Sequence, residues 1–136
     1  MDIMSAMNVS AQGLTAESLR MRTAAENIAN QNSVRDSAGT GPYRARQVFF
    51  KSVLDKQTGA MGVQASKVAP DMKTPLQAKY DPGNPFADTQ GIVQYPNVDP
   101  TVENVNMKEA QRAYDANLAA IDTARSMALR TIDMIK

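Results

Sequence analysis

The side chains best suited to acid–base chemistry in this chain are carboxylates: 14 Asp and Glu, with no His and no Cys. Without imidazole there is no His general base, no Ser-His-Asp triad and no His-ligated metal. Without thiols there is no disulfide, no thiolate nucleophile and no zinc or iron–sulfur site built on Cys. Two carboxylates alone can run glycoside hydrolysis, but the acids are spread evenly along the chain and no pair is marked out. Asp81 and Asp88 flank a turn outside any Asp-x-Asp-x-Asp-Gly calcium loop. Gly39-Thr40-Gly41 runs into Pro42 and lacks the preceding strand, the following helix and the third Gly of a dinucleotide loop, so it reads as a turn. No Ser or Lys sits in a nucleophile motif. The expectation is a protein that is not an enzyme and has no cofactor and no metal.

Charge narrows the partners. Fifteen basic and fourteen acidic residues give a net +1, divided as −1 over 1–30, +2 over 31–100 and 0 over 101–136. No basic excess is available to neutralise phosphates, so no nucleic-acid partner is expected. No apolar run approaches the roughly 18–20 residues of a membrane-spanning helix, so no membrane insertion is expected. The opening Met1-Asp2-Ile3-Met4-Ser5 lacks the basic and apolar regions of a cleaved secretory signal. The chain then stays in the cytoplasm or leaves it by a route without such a signal.

With no site chemistry in view, the elements carry the argument. All seven Pro lie between Pro42 and Pro100, and six of the seven Gly between Gly39 and Gly91. Breakers are therefore confined to the middle, which divides the chain into 1–32, 33–98 and 99–136. In the first segment Met7, Leu14, Met21 and Ile28 recur every seven residues, flanked by small residues such as Ala11, Ser18 and Ala25. That pattern predicts an amphipathic helix with a narrow seam of large residues. Gly13, the exception among the glycines, is either a point of close backbone approach or a weak spot costing about 1 kcal/mol relative to Ala. Asn27, Asn30 and Asn32 crowd the end, where Asn tolerates a left-handed helix stop.

The last segment repeats at seven as well. Met107, Tyr114, Ile121, Ala128 and Ile135 form one row, widened by Leu118 and Ile132, and Ala113, Ala120, Met127 and Met134 form another. The apolar arc spans roughly 160°, wider than a single partner helix needs, which suggests more than one neighbour. Its start is open between Asp99-Pro100, an N-cap followed by Pro at the first helical position, and a capping box at Asn106–Glu109. The middle predicts short strands at Arg44–Val53, Gly62–Val68, Leu76–Tyr80 and Ile92–Tyr95, with a turn at Asp81-Pro82-Gly83-Asn84-Pro85. The fold expected is mainly α with a small β-rich middle (α+β): terminal helices paired as an antiparallel coiled-coil-like hairpin, short strands between them. Two such helices bury little by themselves. Whether the seams form only an intramolecular core or a core shared with neighbouring subunits stays open.

Several stretches carry a family resemblance. Ser10-Ala11-Gln12-Gly13-Leu14-Thr15-Ala16-Glu17, leading to Ala25-Glu26-Asn27-Ile28-Ala29-Asn30-Gln31-Asn32, is similar to the Asn-rich amino-terminal signature of axial flagellar proteins. Pro42–Val48, Tyr80–Pro85 with Ala87-Asp88, and Tyr95-Pro96-Asn97-Val98-Asp99 resemble its central segments. Ala110-Gln111-Arg112-Ala113-Tyr114-Asp115-Ala116-Asn117 resembles the Arg-x-Tyr-x-x-Asn core of the last helix. Together they resemble the flagellar basal-body rod protein family and, through the central stretch, its proximal-rod members. Gly13, Asn27, Asn30, Arg112, Tyr114 and Asn117 are the motif positions. Glu103-Asn104-Val105-Asn106 departs from the opening common before the last helix.

The resemblance implies a structural subunit exported by the flagellar type III apparatus without signal cleavage. It implies polymerisation through the terminal helices into the rod that crosses the periplasm and transmits torque. The implied partners are other proximal-rod proteins, the rod-base adapter and copies of the chain itself. A flagellar export or assembly adapter built on a helical hairpin is the alternative.

Overall fold

The structure is a computed structural model and describes residues 3–35, 39–56 and 58–135, with the Ile135 side chain outside that description. Met1 and Asp2, where the first segment begins, and Lys136, where the last one ends, also lie outside the described residues. The element order is α1 (Ile3–Ala29), β1 (Arg46–Leu54), β2 (Met61–Pro70), β3 (Gln77–Tyr80), β4 (Ile92–Tyr95) and α2 (Pro100–Ile135). This is the expected mainly helical α+β fold: two long terminal helices packed on each other, with short antiparallel strands between them.

The helix starts and stops follow from side-chain chemistry. Asp99 resolves the open start of α2: its Oδ1 accepts from the Thr101 N–H at 2.8 Å and the Val102 N–H at 3.3 Å, with Pro100 at the first helical position. The helix runs straight through Asn106, so no second cap is needed there. The left-handed stop expected at the end of α1 does not occur, since no described residue other than Gly has a positive φ. Instead Asn30 turns its side chain back, and its Nδ2 donates to the Glu26 carbonyl at 2.9 Å. Ser33 Oγ then donates to Asn30 Oδ1 at 3.1 Å and its N–H to the Asn30 carbonyl at 3.0 Å, so the helix ends without a change of backbone hand.

The helices are antiparallel. Gly13 faces Asn117, Arg20 reaches Glu109 and Asn27 reaches Glu103. At 1.5 Å per residue, the 27 residues of α1 span roughly 40 Å and the 36 of α2 roughly 54 Å. α2 therefore outruns its partner.

β1 and β2 form a hairpin that packs on α1, and β3 pairs with β4 in a second two-stranded unit. Register in the first hairpin shifts between Phe49, opposite Lys67, and Phe50, opposite Ala65. Ser66 is the extra residue, and its hydroxyl donates to the Phe49 carbonyl at 2.9 Å, holding the bulge. The hairpin closes where the Asp55 N–H donates to the Ala60 carbonyl, with Gly59 at φ 68°. Between β3 and β4, Asp88 Oδ1 accepts from the Gln90 and Ile92 N–H groups, and Asp81 Oδ2 accepts from the Tyr95 hydroxyl and the Asn84 amide. Both carboxylates are turn staples. Val93, Pro96 and Val98, in and just after β4, are buried, as is Ala45 just before β1.

Candidate functional site

Among the described residues, no group of His, Cys, Asp and Glu could hold a metal ion, and no helix is long and apolar enough to cross a membrane. What the chain builds is a helix pair, a polar node at its base, and a set of large apolar side chains left uncovered.

The node is Asn27. Its side chain is 1% exposed, at the last turn of α1. Oδ1 accepts from the Tyr43 hydroxyl and the Arg46 N–H, each at 2.8 Å. Nδ2 donates to the Arg46 carbonyl at 2.9 Å and to Glu103 Oε1 at 3.0 Å. Both lone pairs and both protons of the amide are used, which is what burial of such a group requires. One side chain thus joins the end of α1, the start of β1, Tyr43 and the first turn of α2. Burial pushes the Tyr43 phenol above its ordinary value; Arg46 pulls it down, while Glu26 and Glu103 add to the rise.

A second amide repeats the device one layer out. Asn97 Oδ1 accepts from the Ala45 N–H at 2.8 Å, and its Nδ2 donates to the carbonyls of Asp71 and Thr74, each at 3.1 Å. Asp71 in turn accepts from Thr74 Oγ1 at 2.6 Å and from the Lys73 and Thr74 N–H groups. These hydrogen bonds, the Thr74 hydroxyl first, hold its carboxyl below the ordinary carboxylate value.

Along the pair, the buried line of α1 is Ser5, Gly13, Ala16, Thr23, Ala24 and Asn27, met from α2 by Ala110 at 0% exposure. A Cβ on Gly13 would stand 2.8–2.9 Å from the Asn117 amide atoms, so Gly13 is a point of close approach. Asn117 is fixed there by donating to the Ala113 carbonyl at 2.9 Å. Arg20 lies between Glu109, at 3.1 Å across the pair, and Glu17, at 3.7 Å on its own helix. These partly exposed pairs contribute about 0–1 kcal/mol each and serve mainly register.

The large seam residues lie elsewhere. Met7, Leu14, Met21 and Ile28 are half-buried on the flank of α1, as are Met107, Tyr114 and Ile121 on α2. Leu118, Met127 and Ile132 are exposed, and Arg112 is exposed too. Phe49, Phe50, Leu54 and Met61 add uncovered apolar surface on the hairpin. Of the motif positions, Gly13, Asn27, Asn30 and Asn117 each take part in helix pairing or helix termination. Tyr43, Arg46, Asn97 and Glu103 were not among the site residues expected from the sequence, and they complete the two nodes. Asn97 carried two signals, its place in the Tyr95–Asp99 stretch of the family resemblance and its position as a polar residue between Pro96 and Val98, both of which are buried.

A family model for the C-terminal part of flagellar basal body rod FlgEFG proteins matches residues 89–134, a span that includes most of α2. Flagellar basal-body rod protein FlgC from Agrobacterium fabrum is 43% identical over 137 aligned residues, covering 100% of this chain and 98% of the relative. The protein of that name from Escherichia coli O6:H1 is 38% identical over 134 residues, at 98% of both chains. Its namesake from Bacillus subtilis is 34% identical over 145 residues, at 96% of both.

Proposed function

The chain belongs to the FlgC family of flagellar basal-body rod proteins, and from that premise we propose that it polymerises through its terminal helices into a periplasm-spanning rod that transmits torque. Its place as a structural subunit of the rod, rather than an enzyme, follows from the family itself. The finer reading has the inner helical domain formed by 1–32 and 99–136, with 33–98 outside it. Its neighbours are copies of itself, other proximal-rod proteins and the rod-base adapter. Synthesis is cytoplasmic, and delivery is by the flagellar type III apparatus without signal cleavage.

One observation carries this reading. Small residues make the helix–helix line, while large apolar side chains stay uncovered on both helices and on the hairpin. An isolated chain leaves about half of Leu118, Met127 and Ile132 in water. Each is about half exposed and would contribute roughly a further 0.7–1.5 kcal/mol if a neighbour covered it fully. A tube requires such contacts between unlike patches on successive subunits. Marginal stability of the free chain also suits passage through an export channel unfolded.

The test is electron microscopy of basal bodies from cells lacking only this gene. A membrane ring without a rod is expected, with the rod restored by the intact gene and not by Ile121→Asp. Complete rods and hooks in the deletion would overturn the proposal and leave an export or assembly adapter in its place.

A further inference from the structure

The β1–β2 hairpin packs on α1 and, among the described residues, on no other helix or strand. Two points pin it there. At its base, Asn27 bonds both the N–H and the carbonyl of Arg46, the first residue of β1. One residue earlier, the Ala45 N–H is held by Asn97, and the Asp71 N–H donates to the Ala45 carbonyl at 2.7 Å. Near the tip, the Gln12 side chain lies against Gly62, the partner of Val53 across the hairpin. From Asn27 to Gln12 is fifteen residues of helix, roughly 22 Å, and from Arg46 to Val53 is seven residues of strand, roughly 24 Å. The spans agree, so the ribbon lies alongside α1 from one pin to the other.

The pins differ in kind. The base is fixed by hydrogen bonds, the tip by shape. A Cβ on Gly62 would stand 2.9 Å from Gln12 Cδ and 3.3 Å from Nε2, and closer still to Oε1, so any other residue there must push the Gln12 side chain away. Gly62 is not among the glycines with positive φ, so the close approach is what its missing side chain serves. Between the pins, helix and ribbon stand apart around a groove of ≈ 850 Å³ walled by Leu14, Leu19, Val53 and Val63. An open groove does not support the middle of the ribbon, which leaves the tip contact to set its angle. Side chains alternate along a strand, and cross-strand partners share a face. Gly62 and Val53 face α1, so Leu54 and Met61 face away from it, with Phe50 on their side. These three are 54%, 59% and 40% exposed.

We infer that Gln12 and Gly62 are positioning residues, a latch that fixes the angle of the hairpin on α1 and with it the direction of Phe50, Leu54 and Met61, and that rod assembly depends on this angle. The inference rests on the polymer reading above, in which neighbours cover the apolar side chains of the hairpin. Without the latch the ribbon pivots about its base. At roughly 24 Å from the pivot, a swing of about 20° carries the tip about 8 Å, more than a close-packed contact tolerates.

The absence of Cys makes the test clean. Spin labels on Ser52→Cys and Ser126→Cys, both exposed, report the position of the hairpin relative to α2 in the free chain. A single narrow distance distribution is expected in the otherwise unchanged chain and in Gln12→Glu, which keeps the shape of the side chain. Gly62→Val and Gln12→Ala should broaden it by several ångströms without lowering the urea midpoint, because the hydrogen bonds at the base are untouched. In cells, the chain with Gln12→Glu should build rods and support swimming, whereas the two latch variants should be made and exported yet build none. Should Gly62→Val fail to fold, Gln12→Ala, an exposed change to the best helix former, carries the same readouts. A narrow distribution in the latch variants, or normal rods from a chain whose hairpin has come loose, overturns the inference and leaves the polymer reading standing. Rods that form without this gene overturn the polymer reading instead.

Discussion

Asn27→Ala removes a side chain that ties both helices to the strand region. The deletion leaves the Arg46 N–H and carbonyl, the Tyr43 hydroxyl and Glu103 Oε1 without their partner. A buried group left unsatisfied costs about 1–3 kcal/mol. Tyr43 and Glu103 are half-buried and Arg46 is exposed, so water re-satisfies part of the loss and the low end applies to each. The sum over the four groups is a destabilisation of about 4 kcal/mol, or a urea midpoint lower by about 2 M at an ordinary slope for a small domain. Asn27→Asp keeps the acceptor for Tyr43 and Arg46 but turns an oxygen toward Glu103 and the Arg46 carbonyl. Two carboxylates at such a distance repel, so this variant falls at least about 1 kcal/mol below Asn27→Ala at neutral pH. Glu103→Gln supplies an amide that can donate to the carboxylate introduced at position 27. The double variant Asn27→Asp with Glu103→Gln therefore recovers more than about 1 kcal/mol over Asn27→Asp alone, a coupling read from urea melts of the four proteins. Absence of that coupling, or an Asn27→Ala loss under about 0.5 kcal/mol, refutes the node as the origin of stability.

Gly13→Ala, which in an open helix gains about 1 kcal/mol, should destabilise by about that amount here because the new Cβ meets Asn117. Thermal melts should show Asn117→Ala restoring the usual gain, and a stabilised single variant would contradict the close approach. Asp99→Ala should cost about 1 kcal/mol in chemical denaturation by uncapping α2, while Asp99→Asn should cost little. Asp71 is held below 3.8, so its contribution is present above that pH and is lost as pH falls through the lower folded value. Carbon-13 carboxyl titration should place its midpoint below the ordinary Asp value, and Thr74→Val should raise it.

The extent of the helices and the four strands was legible because the breakers are segregated. Where Gly and Pro cluster, helix is excluded, and between the clusters alternation remains. Asp99-Pro100 was legible as a helix start, and it competed with Asn106 only because both satisfy the same local rule. The inner line of the helix pair was not legible. Heptad counting weights large side chains, so it drew attention to Met7, Leu14, Met21 and Ile28. The positions that are buried are Gly13, Ala16, Thr23 and Ala24, whose small side chains carry almost no hydrophobic signal but let two helix backbones come close. Asn27 stood out in the sequence, though as a helix stop. Its partners at Arg46 and Glu103 are 19 and 76 residues away, and no local pattern encodes a hydrogen bond of that span.

On the reading proposed above, this division of labour between small and large residues lets a subunit pass unfolded through an export channel and still build a rigid rod. Ala and Gly lose little side-chain entropy on ordering and bury little area, so the hairpin they form is only modestly stable. Its specificity comes instead from groups that fit at one register: the Gly13–Asn117 approach, Arg20 between Glu17 and Glu109, and the saturated amide of Asn27. Such contacts select one register and one geometry of the pair. The side chains with the largest transfer free energy, Leu118, Met127, Leu129, Ile132 and Met134, remain outside that hairpin. On the polymer reading, their burial is deferred to assembly, so the stability of each subunit rises as neighbours cover it. Stiffness under torque would then reside mainly in contacts between subunits. A substitution at Ile132 should spare the free monomer and weaken the rod, whereas one at Asn27 should weaken the monomer first.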